Sequence, residues 1–180
     1  MKPTTLILAI TAIFLVTFVY FWETTGKKQS ETIQLSQKQI FNFHRDEIQY
    51  LSIKKPDITL KFERINLEKW KMIFPQKKVA NNASVSFLVH LLTVTQKNKS
   101  FVTSEQKLGE YGLDKPQGII EITLKNQQTY KLILGKRNFD NSLLYAVNKS
   151  SKNGEIEVLL VPIDFEYGIN RELKEWEAQK

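Results

Sequence analysis

The sequence has no cysteine and only two histidines among its 180 residues. The absence of cysteine excludes disulfides, thiolate metal sites, a cysteine nucleophile and a bacterial lipoprotein anchor. The seven glycines are scattered, and no G-x-S-x-G, H-E-x-x-H, Walker A or G-x-G-x-x-G pattern occurs. We therefore expect a non-enzymatic protein that holds no cofactor and no metal ion.

The two histidines add little chemistry. His44 precedes three charged residues, but neighbours in an extended chain point to opposite faces and would not converge on a metal ion. His90 falls in a predicted helix, and the residues three and four positions later, Thr93 and Val94, do not complete a local metal site. We assign neither histidine a catalytic or metal-binding role.

Charge is distributed unevenly. The net charge is +7, and the basic surplus lies between Glu23 and Gly112, whereas the part from Leu113 onward is balanced. No nucleic-acid-binding motif accompanies the basic residues, so nucleic acid is not expected as a partner. Two readings stay open for the basic half: an ordinary solvated surface, or contact with anionic lipid headgroups.

One long uncharged run stands out, from Thr4 to Trp22. As a helix, it would span about 28 Å, close to the thickness of a bilayer core. It is longer than the apolar region of a signal peptide, and no A-x-A cleavage pattern follows it. We predict a retained transmembrane anchor over residues 1–22, a tether over residues 23–39 and a domain over residues 40–180. Counting Lys2 and the terminal amine against Lys27 and Lys28 gives nearly a tie and leaves the orientation open.

The domain is predicted to be mainly antiparallel β-sheet. Alternating apolar and polar residues indicate strands, with turn residues between several of them. The two halves of the domain have similar strand patterns. The expected fold is therefore a two-lobed α+β domain with two principal helices. The predicted strands are Tyr50–Lys54, Ile58–Glu63, Trp70–Phe74, Lys99–Thr103, Ile119–Lys125, Tyr130–Leu134, Leu143–Asn148 and Glu155–Val161.

The first helix is predicted from about Ala83 to Thr95, with Asn81 or Asn82 as its N-cap. Apolar residues lie on two sides of this helix. One stripe contains Val85, Leu88, Val89 and Leu92, whereas Phe87, Leu91 and Val94 lie on the other side. The second side is either buried within the domain or left for a partner, with Lys97 and Lys99 close by.

Two further helical segments are expected. A short turn opens at Ser104 and ends in a Schellman motif, in which Gly112 has positive φ and Leu113 contacts Leu108. The C-terminal region is predicted to form one amphipathic helix, whose shared apolar face contains Phe165, Ile169, Leu173 and Trp176.

Four short signatures occur in a recognisable order. They are a hairpin that runs into Trp70 and Pro75, Ala80-Asn81 with Val85 before a helix, the run from Tyr111 to Pro116, and Leu132 to Gly135 followed by Leu144-Tyr145. In this order, and with the N-terminal anchor, the sequence from about Ile48 to Pro162 resembles domain-of-unknown-function family 4340.

The resemblance implies a bacterial, often cyanobacterial, membrane protein whose domain lies outside the cytoplasm. It also implies an auxiliary role beside ABC transporter components of the gliding-motility type. No catalytic residues come with the family, so we interpret Trp70, Tyr111, Gly112 and Pro116 as residues that determine the fold.

We therefore predict a membrane-tethered interaction domain that acts as an accessory subunit of a membrane complex. Its partner would be a membrane protein, and the candidate contact residues are Phe87, Leu91, Val94, Lys97 and Lys99. The alternative from another class is a hydrolase, or a sugar- or lipid-binding enzyme, with a site assembled from distant residues. A third hypothesis is electrostatic docking to anionic lipid headgroups.

Overall fold

The computed structural model describes residues 39–97, 99–148 and 155–179. The predicted anchor from Thr4 to Trp22 and the tether up to residue 38 lie outside these residues. Within the described ranges, no helix has the length and apolar character needed to cross a bilayer. The segment Gln39–Lys180 forms a compact unit of its own.

In the part of the chain that the structure describes, nine antiparallel strands form one sheet, in the order β4-β3-β2-β1-β6-β7-β8-β9-β5. Most of them coincide with the predicted strands to within about two residues, whereas the two-residue strand β4 was not predicted. The strands are β1 (Ile48–Lys54), β2 (Thr59–Arg64), β3 (Trp70–Phe74), β4 (Lys78–Val79), β5 (Ser100–Ser104), β6 (Gly118–Leu124), β7 (Thr129–Arg137), β8 (Leu143–Val147) and β9 (Glu155–Pro162).

The two halves of the domain are joined at the centre of this sheet. Strand β1 pairs with β2 on one side and with β6 on the other, and Leu51 and Ile53 lie opposite Ile122 and Ile120. The prediction of two lobes is therefore corrected, because the halves share backbone hydrogen bonds across β1 and β6 and form one continuous sheet. The predicted α+β class, with mainly antiparallel strands, is confirmed.

Among the described residues, two α-helices accompany the sheet, α1 (Asn82–Val94) and α2 (Asp164–Ile169), with three short 3₁₀ helices: η1 (Arg45–Glu47), η2 (Glu105–Tyr111) and η3 (Leu173–Trp176). Helix α1 begins as predicted, because the Asn81 side chain accepts hydrogen bonds from the amides of Ala83 and Ser84. An N-cap oxygen of this kind satisfies amides that have no partner inside the helix.

The main core lies between the sheet and these helices. Its largest fully buried side chains include Trp70, Trp176, Phe62 and Phe165. The predicted stripe of α1, including Leu88 and Leu92, is fully buried in this core. Aromatic residues of the segment before β1 join it as well, since Phe41 and Phe43 stack against each other and both contact Tyr130.

A smaller cluster packs around η2 and the end of the sheet formed by β8, β9 and β5. The predicted Schellman motif is confirmed here. Gly112 has φ of +67°, and the Leu113 amide donates to the Leu108 carbonyl at 3.0 Å. Tyr111 packs against Phe101 and Tyr145 in this cluster, with ring centroids 5.1 and 5.0 Å away.

The C-terminal region differs from the single helix that was predicted. Helix α2 ends at Ile169, and η3 begins only at Leu173. The interruption has a local cause: the Glu172 amide donates to the side chain of Glu175 at 2.7 Å, which starts a new turn instead of extending the old one. The apolar pattern still faces inward, because Phe165, Ile169 and Trp176 are fully buried.

Candidate functional site

Three of the five predicted contact residues come together at a cavity. Leu91, Val94 and Lys99 line a space of about 460 Å³, and we call this cavity the apolar groove. It lies where the C-terminal end of α1 meets strands β8 and β9. The full lining is Leu91, Val94, Thr95, Gln96, Lys99, Leu143, Leu160 and Pro162.

The two apolar residues of α1 that line the groove differ in their exposure to solvent. Leu91 is 9% exposed and belongs to the main core, whereas Val94 is 46% exposed. The second side of α1 is thus partly buried within the domain and partly open. Val94 is its open part.

The other two predicted contact residues lie elsewhere. Phe87 packs against the main core, and the Arg171 guanidinium lies 5.6 Å from the centre of its ring. Lys97 forms an ion pair with Glu157. Neither residue lines the apolar groove.

The chain enters the domain beside the apolar groove. Gln39 forms an antiparallel bridge with Gln96, which lines the groove, and its side chain donates to the Thr93 carbonyl at 3.2 Å. The next residue, Ile40, donates its amide to the carbonyl of Thr95, another lining residue, at 3.1 Å. The start of the domain is therefore held against the rim of the groove.

A second cavity, of about 510 Å³, lies near the opposite end of α1. We call it the arginine pocket because two arginines line it. Its lining is Arg45, Asp46, Arg64, Leu67, Glu68, Asn82, Ala83 and Ser86.

Arg64 is the unusual residue of the arginine pocket. It is only 5% exposed, and its guanidinium lies 4.4 Å from the centre of the Trp70 ring. Two of its N–H groups donate to backbone carbonyls, Nη1 to Leu67 at 3.0 Å and Nη2 to Arg45 at 2.7 Å. In the part of the chain that the structure describes, its buried Nε–H has no hydrogen-bond partner. A guanidinium has five donors, so this buried cation is only partly satisfied.

The pKa of Arg64 reflects its burial and its charged neighbours. Burial lowers the pKa of the Arg64 guanidinium, repulsion from Arg45 lowers it further, and attraction to Asp46 partly offsets both. Arginine nevertheless keeps its charge in proteins. Arg45 itself donates from Nη2 to the Ser86 hydroxyl at 3.0 Å. Within residues 39–97, 99–148 and 155–179, no carboxylate lies within ion-pair distance of Arg45 or Arg64.

Sequence reasoning missed the arginine pocket, although a signal was present. Arg64 follows Leu60 and Phe62 at intervals of two, so it occupies the inward-facing phase of β2. A charged residue in the apolar phase of a strand is rarely buried without a paired partner. This position could have been marked as a site before the structure was known.

The two histidines lie outside both cavities, and both are exposed. Among the described residues, no group of three or more histidine, cysteine, aspartate or glutamate side chains is placed to hold a metal ion.

The described residues place the protein in the α+β class, with one large antiparallel sheet and helices packed on its main core. The sequence from residue 70 to residue 180 matches the family "Domain of unknown function (DUF4340)". The chain belongs to this family. The matched range begins at Trp70, the first residue of β3. It contains the four signatures, except for the hairpin that precedes Trp70 in the first of them. No curated protein matches the chain, and no solved structure does either.

Proposed function

We propose that this protein is a membrane-tethered, non-enzymatic interaction domain, and that the apolar groove binds an apolar segment of a membrane-protein partner. The observation that carries the proposal is the position of Gln39, which connects the tether to the domain at the rim of the groove. In this proposal, the segment from Thr4 to Trp22 anchors the chain in a bacterial membrane, with the domain on the extracytoplasmic side.

The geometry favours a partner close to the membrane. The predicted tether, residues 23–39, would reach at most about 60 Å if fully extended. An anchored domain also searches for its partners in two dimensions, which raises their effective concentration. The groove would then stay near the extracytoplasmic ends of neighbouring membrane proteins, as an accessory subunit of an ABC-transporter-like complex requires.

The lining fits an apolar segment with a polar or acidic end. Leu143, Leu160 and Pro162 line the groove together with Val94, which provides exposed apolar surface. Lys99 is exposed at the same cavity. Burial of apolar surface would supply most of the affinity, and Lys99 would favour a partner segment that carries a carboxylate.

Site-specific photocrosslinking from position 94 tests the proposal. The full chain, with a photoreactive amino acid in place of Val94, is irradiated in its own membranes. We expect one discrete product that contains an integral membrane protein. The control carries the same group in place of Val79, which is 61% exposed but lies on β4, at the opposite edge of the sheet from β5.

A second substitution links the product to the groove. Leu143→Glu places a charge in the lining of the groove and should reduce crosslinking from position 94 by about tenfold, since it interrupts an apolar contact surface. Equal products from positions 94 and 79 would contradict the proposal. Crosslinking only to lipid, to soluble proteins or to a second copy of the chain would contradict it as well.

A further inference from the structure

The arginine pocket contains opposite charges that are not paired with each other. Arg45 and Arg64 line it together with Asp46 and Glu68. Within the described ranges, none of these four side chains forms an ion pair with another at 4.0 Å or less. Because the four side chains line one cavity without being paired with one another, both signs of charge are available to a ligand there.

The fold fixes the position of the Arg64 side chain in the pocket. Arg64 is held by the carbonyls of Leu67 and Arg45 and by the face of Trp70, so its guanidinium is fixed in place. Each Nη atom uses one hydrogen for these bonds and has a second one left. Arg45 and the Ser86 hydroxyl, which are hydrogen-bonded to each other, lie on the same cavity. An oxyanion would therefore meet a preorganised set of donors.

The carboxylates that line the pocket limit which ligands would fit. Asp46 and Glu68 balance the two arginines, so the formal charge of the lining is neutral. A simple anion would gain from the arginines and be repelled by the carboxylates. A molecule with an oxyanion at one end and an ammonium group at the other satisfies both.

We propose that the arginine pocket binds a small zwitterion, with its oxyanion against Arg64 and Arg45 and its ammonium group toward Asp46 and Glu68. The volume of about 510 Å³ is in the range of small-molecule sites. The chemistry is shared by a free small molecule and by a phosphoethanolamine lipid headgroup. This site is separate from the apolar groove, and the proposal does not depend on the groove's partner.

Calorimetric titration of the full chain in detergent micelles tests it with three probes: O-phosphoethanolamine, inorganic phosphate and ethanolamine. We expect O-phosphoethanolamine to bind at least about tenfold more tightly than either of the others, because only this probe satisfies both charges. Equal binding of O-phosphoethanolamine and phosphate would overturn the zwitterion proposal. If none of the probes bound, the proposal would be overturned, and Arg64 would have only the structural role of holding the β2–β3 connection against η1.

Two variants with exposed side chains keep the test independent of folding. Arg45→Gln should weaken O-phosphoethanolamine and phosphate alike by about tenfold. Asp46→Asn should remove the preference for O-phosphoethanolamine over phosphate. The matched controls Lys61→Gln and Asp57→Asn make the same charge changes at exposed positions outside the pocket and should leave all affinities unchanged. Unchanged binding by Arg45→Gln would overturn the proposal.

Proton–nitrogen NMR spectra then identify the source of the zwitterion through the Arg64 Nε–H signal. The full chain is compared in nanodiscs of phosphatidylglycerol with and without phosphatidylethanolamine. A shift caused by phosphatidylethanolamine alone, with no further effect of O-phosphoethanolamine, assigns the pocket to the lipid headgroup. A shift that requires the soluble probe assigns it to a free molecule, and no shift in either case contradicts binding at this site.

Discussion

A matched pair of substitutions on α1, Leu91→Glu and Val94→Glu, separates burial from surface function. Both place the same side chain on the same side of the helix, three residues apart, so helix propensity changes little between them. Leu91 is 9% exposed and packs in the main core, whereas Val94 is 46% exposed. Their effects on stability should therefore differ strongly.

The expected magnitude follows from these exposures. Loss of a buried leucine typically costs about 2–5 kcal/mol, and the new carboxylate must reach the groove to stay hydrated, so Leu91→Glu should cost about 3–5 kcal/mol. Val94→Glu should stay within about 1 kcal/mol. For a domain of this size the unfolding entropy is about 0.3 kcal/mol/K, so the melting temperature should fall by about 10–17 °C for Leu91→Glu and by about 3 °C or less for Val94→Glu.

Tryptophan fluorescence of the full chain in detergent during a thermal ramp measures both values, because Trp70 and Trp176 are fully buried and become exposed on unfolding. Equal melting temperatures for the two variants would refute the assignment of Leu91 to the core. A large loss for Val94→Glu would instead mean that the groove is tightly filled in the free protein. We expect Val94→Glu to keep its stability and to lose only its partner.

Three further predictions concern the fold. Gly112→Ala should cost about 1–2 kcal/mol in chemical denaturation, because φ is +67° and the new Cβ would lie 2.9 Å from a backbone nitrogen, whereas Gly109→Ala meets only ordinary contacts and should be nearly neutral. Asn81→Ala should cost about 1 kcal/mol or more by the same measurement, because it removes the capping oxygen and also the hydrogen bond that the side-chain amide donates to the Glu175 carbonyl; Asn81→Asp keeps only the capping oxygen and should recover part of the loss. The hydrogen bond from Arg137 lowers the pKa of Glu166 below its ordinary value of 4.5. This contact therefore stabilises the fold above that pH, and its contribution is lost as the pH falls through the lowered pKa. In urea denaturation, Arg137→Gln should be less stable than the natural chain at pH 7 and nearly equal to it in strong acid.

Local features were the most predictable parts of the fold. The hairpins follow alternation along short stretches, and the Schellman motif follows from three residues, Leu108, Gly112 and Leu113, whose spacing is fixed by helix geometry. The same holds for Asn81, since an N-cap needs only its own side chain and the next few amides. In each case the determining atoms lie within about ten residues of one another.

Features that depend on distant residues were not predictable in the same way. The similarity of the two halves suggested two lobes, but nothing local specifies that β1 pairs with β6 at the centre of one sheet. The apolar pattern around Phe165 and Trp176 predicted one helix, since the inward face continues across the interruption. Phe165 and Trp176 do face the core together, but the backbone between them forms two separate helical segments and not the one predicted helix.

The candidate surface shows the same division. The helical repeat placed Leu91 and Val94 together on one side of α1, and the structure shows both at one groove. It could not separate them by exposure, because exposure depends on what packs against the helix from other parts of the chain, and the groove itself is completed by Leu143, Leu160 and Pro162 of later strands. The arginine pocket likewise combines η1, β2 and α1, and only the phase of Arg64 within its strand pointed to it.

The position of Trp176 has a consequence for how the chain becomes a folded protein during synthesis. This residue lies fully buried against Phe62, with ring centroids 5.2 Å apart, and its carbonyl accepts the Asn81 amide at 2.8 Å. The core of the first half therefore lacks one of its largest side chains until residue 176 has left the ribosome. Strands β1 to β4, although made first, must wait with an open core for more than ninety residues of later translation. During that interval they would be natural clients for a holding chaperone.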